Sequence, residues 1–312
     1  MKRFAENRVF RIFALVMRMA LGAFFIVSAV AKLLDIDMFE LYVFSYNILS
    51  LKCAILAARL VIVAELWIGL GLLSNVWKRF VDCCTLLMLT GFTLFLGYAA
   101  LIGRTDSCQC MGSLLEMNPL QSILKNALLL LVLLVAMYAK PWNWKPRWFV
   151  WLPVLLAPLV TVFILSAPDN WLFGPSEEVY NKEELQKAIA PSGELAPLNL
   201  DEGRHLLAFV TPGCPMCKMA DEKLTYICNR NKLDTSEFVY FIPAHDSTIV
   251  PLTRDSSSFL YPGYLIRSMT FALITYGQRP IVFLMEDGEV KTTYHYRNID
   301  EEQIVDFLTD ED

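Results

Sequence analysis

The chain has 312 residues, of which 55% are hydrophobic and 19% charged, with a net charge of −5 and a mean hydropathy of +0.44. An ordinary soluble domain is roughly 45–50% apolar and about 25% charged, so this composition excludes a disordered chain, and the lack of a basic patch excludes a nucleic-acid-binding one. Charge divides the sequence. Residues 1–168 carry 15 Lys+Arg against 8 Asp+Glu, net +7, and residues 169–312 carry 12 against 24, net −12. The front half is therefore apolar and basic, and the back half acidic and suited to water.

In chain order, five apolar runs reach the ~20 residues that a helix needs to cross a bilayer core of ~30 Å. They lie at about 13–34, 49–73, 80–102, 120–139 and 148–166. Asn118-Pro119 marks the start of the fourth, with Asn as N-cap and Pro at the first helical position. Ala29-Val30-Ala31 has the look of a signal-peptidase site, but the first run is too long and continues too far for a signal peptide. It is taken as a retained span.

Short loops rich in Lys and Arg stay on the cytoplasmic side. Lys2, Arg3, Arg8 and Arg11 precede the first run, Lys78 and Arg79 precede the third, and Lys140, Lys145 and Arg147 precede the fifth. This distribution predicts a cytoplasmic N-terminus, an outside loop at 103–118 and, after five spans, an outside C-terminal half. The expected setting is a bacterial inner membrane with that half in the periplasm. Trp142, Trp144, Trp148 and Trp151 read as an interfacial belt at the inner start of the fifth run.

Ionisable residues inside spans are expensive and face the bundle interior. Arg18, Glu65 and Asp82 fall at similar predicted depths, and an Arg18–Glu65 pair is expected. Such a pair serves either as a structural clamp or as a polar relay, and the clamp is the commoner case. Arg59 and Lys32 are expected to snorkel toward the outer surface.

Eight cysteines follow a pattern. Cys108 and Cys110 form a C-x-C in the predicted outside loop, and Cys214 and Cys217 form a C-x-x-C in the acidic half. On the oxidising side of a membrane each pair can close a disulfide, and zinc is the weaker reading of the four thiols. A bridge between residues two apart closes a very small ring, which suits an exchange partner better than a staple. Cys228 reads as a packing residue, as do Cys83 and Cys84, for which a cytoplasmic electron entry is the alternative, while Cys53 is a possible third thiol for the loop pair. His205, His245 and His295 have no metal or triad spacing.

Around the C-x-x-C, 204–210 reads as a buried strand and 218–229 as a helix with Met219, Leu224 and Ile227 on its apolar side. A first cysteine at a helix N-terminus faces unpaired N–H groups that stabilise a thiolate. Cys214 is thus the expected attacker and Cys217 the resolver.

This stretch resembles the thioredoxin superfamily, in its periplasmic TlpA-like branch, over about 195–308. The resemblance adds a strand at 238–242, a helix around 264–276, an Asp287-Gly288 turn between two antiparallel strands and a last helix capped by Asp300. It implies that Pro280 is the cis-proline facing the cysteines and, with Arg279, contacts substrate. No Trp precedes Cys214, and 246–258 is an apparent insertion. The membrane half resembles the MauE/DoxX-like family over about 10–139, through Arg18, Gly22, Phe25, Ser28, Lys32 and Leu33 in the first run, Glu65 and Gly69 in the second, and Cys108-x-Cys110-x-Gly112. That family implies a role in maturation where disulfides form.

The expected architecture is a membrane α-helical bundle of about five transmembrane helices (1–168), a linker with a short helix (169–197) and an α/β thioredoxin-like domain (198–312). The expected function is a membrane-bound thiol–disulfide oxidoreductase that relays electrons between Cys214/Cys217 and Cys108/Cys110, with extracytoplasmic protein thiols or disulfides as clients. A tether holds such partners at effective concentrations of order mM. The layout is analogous to fusions of vitamin K epoxide reductase-like proteins with thioredoxin, and on that analogy the bundle would exchange electrons with a membrane quinone. No quinone motif stands in the sequence. Two other classes stay open: a non-catalytic assembly factor, and a transporter-like bundle with a regulatory thioredoxin fold.

Overall fold

The computed structural model describes residues 8–75, 77–104, 108–112, 115, 117–139, 148–168, 180–234, 236, 238–244, 250–252, 261 and 263–309. Backbone contacts divide the chain into two compact units: Met1–Val43 with Ala54–Ala167, and Phe44–Cys53 with Pro168–Asp312.

The first unit is helical: α1 (Arg8–Leu34), α2 (Ile36–Phe44), α3 (Leu51–Ser74), α4 (Lys78–Leu101), α5 (Pro119–Ala136) and α6 (Trp148–Leu165). Helices α1, α3, α4 and α5 are long and apolar enough to cross a membrane, and α6 contributes a shorter apolar stretch, Leu156–Leu165. About five are expected, and the structure has four to five: four of full length, with α6 as the fifth. The short helix α2 is an addition, between the first two apolar runs. Asn118 caps α5 as anticipated, accepting from the Gln121 N–H at 2.8 Å while the Gln121 side chain accepts from the Asn118 N–H at 3.1 Å. Of the Trp belt, Trp142 and Trp144 lie outside the described residues, as do the side chains of Trp148 and Trp151.

Where α1 crosses α3, two glycines let the backbones meet. A Cβ on Gly22 would lie 3.0 Å from the Gly69 carbonyl oxygen, and one on Gly69 would lie 2.7 Å from Ile26 Cγ1. Small residues at a crossing permit the close approach that holds helices together in lipid.

The second unit contains α7 (Lys182–Ile189), a 3₁₀ turn (Ala196–Leu198), β1 (Arg204–Phe209), α8 (Pro215–Asn231), β2 (Phe238–Ala244), β3 (Val250–Leu252), β4 (Gly263–Arg267), α9 (Ser268–Thr275), β5 (Ile281–Glu286), β6 (Glu289–Tyr294) and α10 (Glu301–Thr309). The strands form one sheet in the order β3-β4-β2-β1-β5-β6. Strand β2 runs parallel to β1 and β4, whereas β5 is antiparallel to β1 and β6. Phe209, Phe241, Phe271 and Phe283 meet in the core with ring centroids 4.9–5.6 Å apart. Asp287 and Gly288 both have positive φ, 49° and 75°, the requirement of a two-residue hairpin turn that matches strand twist.

Two expectations need correction here. The helix expected from 264 is a strand, β4, to Arg267, and the helix begins only at Ser268. Its first residues pair with β2 in parallel, so strand pairing overrides the local apolar pattern. The helix after the cysteines begins at Pro215 rather than 218, because proline is well tolerated in a first helical turn. Of the apparent insertion, only Val250–Leu252 is described, as the edge strand β3 paired with β4.

Candidate functional site

Cys214 is the N-cap of α8. Its Sγ accepts the Cys217 backbone N–H at 3.3 Å. The loop arriving from β1 is closed by the Cys214 N–H donating to the Thr211 carbonyl at 3.3 Å. Cys214 is partly exposed, and Cys217 is buried beneath it in the first turn. Burial pushes the Cys217 thiol up to about 12, reinforced by its hydrogen bond with Cys214 and opposed by the Thr211 backbone and the charge of Arg279. One sulfur is therefore reachable from solvent, and the other is held back as a neutral thiol.

Strand pairing brings Pro280 to the same end of the sheet. Phe209, the last residue of β1, is in register with Ile281, the first of β5, so the segments carrying Cys214 and Pro280 leave neighbouring strands together. The Arg279–Pro280 peptide is cis. His295 Nδ1 lies 3.4 Å from the Pro280 carbonyl oxygen, a neighbour that spacing in the sequence could not reveal. His205 lies in β1, its Nε2 2.8 Å from the Glu202 carbonyl. His245 lies outside the described residues. Cys228 is buried, and burial pushes its thiol up to about 11, partly offset by the Tyr261 hydroxyl, as suits a packing cysteine.

In the membrane unit Cys108 and Cys110 form a disulfide, with Cα atoms 5.2 Å apart. Cys108 is buried, its Sγ 2.9 Å from Ser122 Oγ on α5. Ser28 on α1 donates to the Cys110 carbonyl at 3.1 Å. The glycine of the C-x-C-x-G has φ +54°, and a Cβ there would stand 2.6 Å from the Ala31 carbonyl oxygen. Gly112 thus seats the loop against the end of α1. Gly112→Ala is expected to cost about 1–3 kcal/mol through backbone strain and the displaced contact. Its signature is faster reduction of Cys108–Cys110 by dithiothreitol, followed by alkylation and mass spectrometry. An unchanged reduction rate would contradict this role for Gly112.

The intramembrane charges pair differently from expectation. Arg18 pairs with Asp82, which also accepts from Lys78 Nζ at 2.6 Å. Glu65 pairs with Lys32, at 2.8 and 2.9 Å to its two oxygens. The glycine crossing explains the change. With Gly22 level with Gly69, Arg18 lies four residues to one side and Glu65 four to the other, about 12 Å apart at 1.5 Å per residue. Lys32 and Arg59 do not snorkel either, because each has a buried carboxylate within reach. Lys32 is 2% exposed and Arg59 3%, and Arg59 pairs with Glu40 of α2 and donates to the Ser166 and Ala167 carbonyls at 2.8 and 3.1 Å. Sequence reasoning singled out Lys32, Glu65 and Arg59 but missed the pairings Lys32–Glu65 and Arg59–Glu40. The only available signal was Lys32 lying four residues after Ser28, on one helical face.

Cys53 and Cys83 are free and exposed, and Cys84 is free and half-buried. Beside the cysteine loop a cavity of about 920 Å³ runs through the membrane unit, with Ser28, Lys32, Glu65, Cys108 and Cys110 in its wall.

A mixed sheet with a C-x-x-C capping the first helix after a central strand, and a cis-proline opening the antiparallel neighbour of that strand, defines a thioredoxin-like domain. Here it follows a bundle of membrane-length helices. Residues 10–139 match the family model of the methylamine utilisation protein MauE, so the membrane-length helices of this bacterial membrane protein are similar to that family, and the thioredoxin-like domain follows them in the chain. Protein TlpB of Flavobacterium psychrophilum is 26% identical over 335 aligned positions, which cover 90% of each chain. No solved structure matches the chain.

Proposed function

We propose that the protein is a membrane-anchored thiol–disulfide oxidoreductase in which the thioredoxin-like domain exchanges disulfides with extracytoplasmic proteins and with the Cys108–Cys110 pair of its own membrane region. The observation that carries this reading is the pairing of a solvent-reachable Cys214 at a helix N-cap with a buried Cys217 behind it. Such an arrangement lets one thiolate attack a disulfide and keeps the second thiol to resolve the mixed disulfide. The second pair, already joined as a disulfide, supplies the partner. The loop charges favour an N-terminus in the cytoplasm and both cysteine pairs outside it. The name TlpB carried by the relative and the MauE match agree with a role in handling disulfides.

In the exchange, the Cys214 thiolate attacks one sulfur of a disulfide, bonding to it, and the other sulfur leaves as a thiolate. Cys217, once deprotonated, attacks Cys214 Sγ, forms the Cys214–Cys217 disulfide and expels the attacked sulfur as a second thiolate, which completes a two-electron transfer. The test is to replace Cys217 with Ala, quench cells with acid, alkylate, and identify what is bonded to Cys214. A mixed disulfide with Cys108 or Cys110 is expected, and any second partner names a client. If Cys214 is recovered only as a free thiol while Cys108–Cys110 stays oxidised under every redox condition, the relay is wrong.

A further inference from the structure

We propose that the cavity of the membrane unit is a binding site for a lipid-soluble quinone, with its ring beside Cys108–Cys110 and its tail along α4. The cavity, at about 920 Å³, falls within the range of ligand sites. Its lining on α4 runs from Phe80 to Leu96, about 24 Å at 1.5 Å per residue. That is the length of an extended chain rather than of a compact metabolite. Aromatic and aliphatic side chains such as Phe25, Trp67 and Phe92 make up most of the wall.

Polar groups gather around the disulfide. Ser28 holds the Cys110 carbonyl and is itself held by Lys32 at 2.7 Å, and Lys32 is paired with Glu65. Ser122 contacts Cys108, and Lys125 and Asn126, three and four residues further along α5, lie on the same helical face and also line the cavity. The occupant therefore has a long apolar part and one polar head that accepts hydrogen bonds from Lys and Asn. Because the head adjoins a cysteine pair, a carrier of two electrons and two protons fits where a phospholipid headgroup has no chemistry to do.

The step balances. Reduced Cys108 and Cys110 lose two electrons and two protons as the S–S bond forms, and the two quinone carbonyl oxygens take them up to give the quinol. The supply of electrons to Cys108–Cys110 in the cell rests on the relay proposed above, but binding and reduction of the quinone do not.

Gly91 provides the test. It lines the cavity, and a Cβ there meets nothing within 4 Å, so a side chain can start from this position without a clash, and Gly91→Phe adds bulk at the cavity wall. Full-length protein in nanodiscs is titrated with decylubiquinone, followed by tryptophan fluorescence. Quinone reduction driven by dithiothreitol is then read by absorbance, with a Cys108→Ala/Cys110→Ala variant fixing the background. Saturable quenching is expected, weakened at least tenfold in Gly91→Phe, with reduction above background lost in step. The rate at which dithiothreitol reduces Cys108–Cys110 in Gly91→Phe without quinone should match the parent, which shows the membrane unit intact. Absence of saturable binding, equal binding by Gly91→Phe, displacement by phosphatidylglycerol at equal concentration, or reduction no faster than background would each overturn the proposal. Because dithiothreitol bypasses Cys214, failure of the relay would leave this result unchanged, and failure here would leave the mixed-disulfide result unchanged.

Discussion

Cys214→Ser is expected to lower thiol–disulfide turnover by about 10³-fold or more, since a hydroxyl replaces the attacking thiolate. Cys217→Ser, by contrast, should leave the first attack in place and accumulate mixed disulfide. The difference follows from access: Cys214 is partly exposed at the N-cap, and Cys217 is buried. The pH dependence separates the two thiols in the reduced native protein. With the Cys217 thiol raised to about 12, only about one part in 10⁴ is thiolate at pH 8, against roughly a quarter of an ordinary thiol with a pKa near 8.5. The shift is upward and the reactive form is the deprotonated one, so Cys217 alkylation should rise about tenfold per pH unit until pH approaches 12. Iodoacetamide labelling with peptide mapping between pH 6 and 9 checks this, expecting Cys214 modified and Cys217 spared. Equal labelling of both cysteines at pH 7 would refute the assignment of attacker and resolver.

Lys32→Met is expected to destabilise the membrane unit by about 3–5 kcal/mol, because removing one partner of a buried ion pair leaves the other charge uncompensated. Glu65 is 3% exposed and would be left with Ser28 Oγ at 3.2 Å. The double variant Lys32→Met/Glu65→Met should recover most of the loss, since a well-packed apolar pair can replace a buried ionic one at little cost. Unfolding by denaturant in mixed micelles reads both values. The same substitution frees Ser28, which holds the Cys110 carbonyl, so Cys108–Cys110 should also become easier to reduce. A Lys32→Met protein within about 1 kcal/mol of the parent, or a double variant as unstable as the single, would show that the pair does not clamp α1 to α3.

Some of the architecture is legible in the sequence because it is local in the chain. A run of some twenty apolar residues has to be a helix if it lies in hydrocarbon, where backbone groups must bond within the segment. The Asn118-Pro119 cap, the Asp287-Gly288 turn and the strand–cysteine–helix order around Cys214 likewise depend on residues a few positions apart. The resemblance to thioredoxins, rather than any local spacing, pointed to Pro280, whose peptide is cis.

What the sequence by itself determined is thus the division into an apolar basic half and an acidic half, the helices of membrane length, and the placing of the two cysteine pairs in the chain. Only the tertiary structure decided which charges pair, since that depends on the register set by Gly22 against Gly69. Helical periodicity places a residue on a face, but one turn of sliding between two helices moves a carboxylate about 5.4 Å relative to its partner. Strand pairing likewise turned 264–267, expected as the start of a helix, into part of β4. The cavity beside Cys108–Cys110 was beyond sequence reasoning for the same reason: it is bounded by side chains from several helices, and an empty volume has no signature in any one of them.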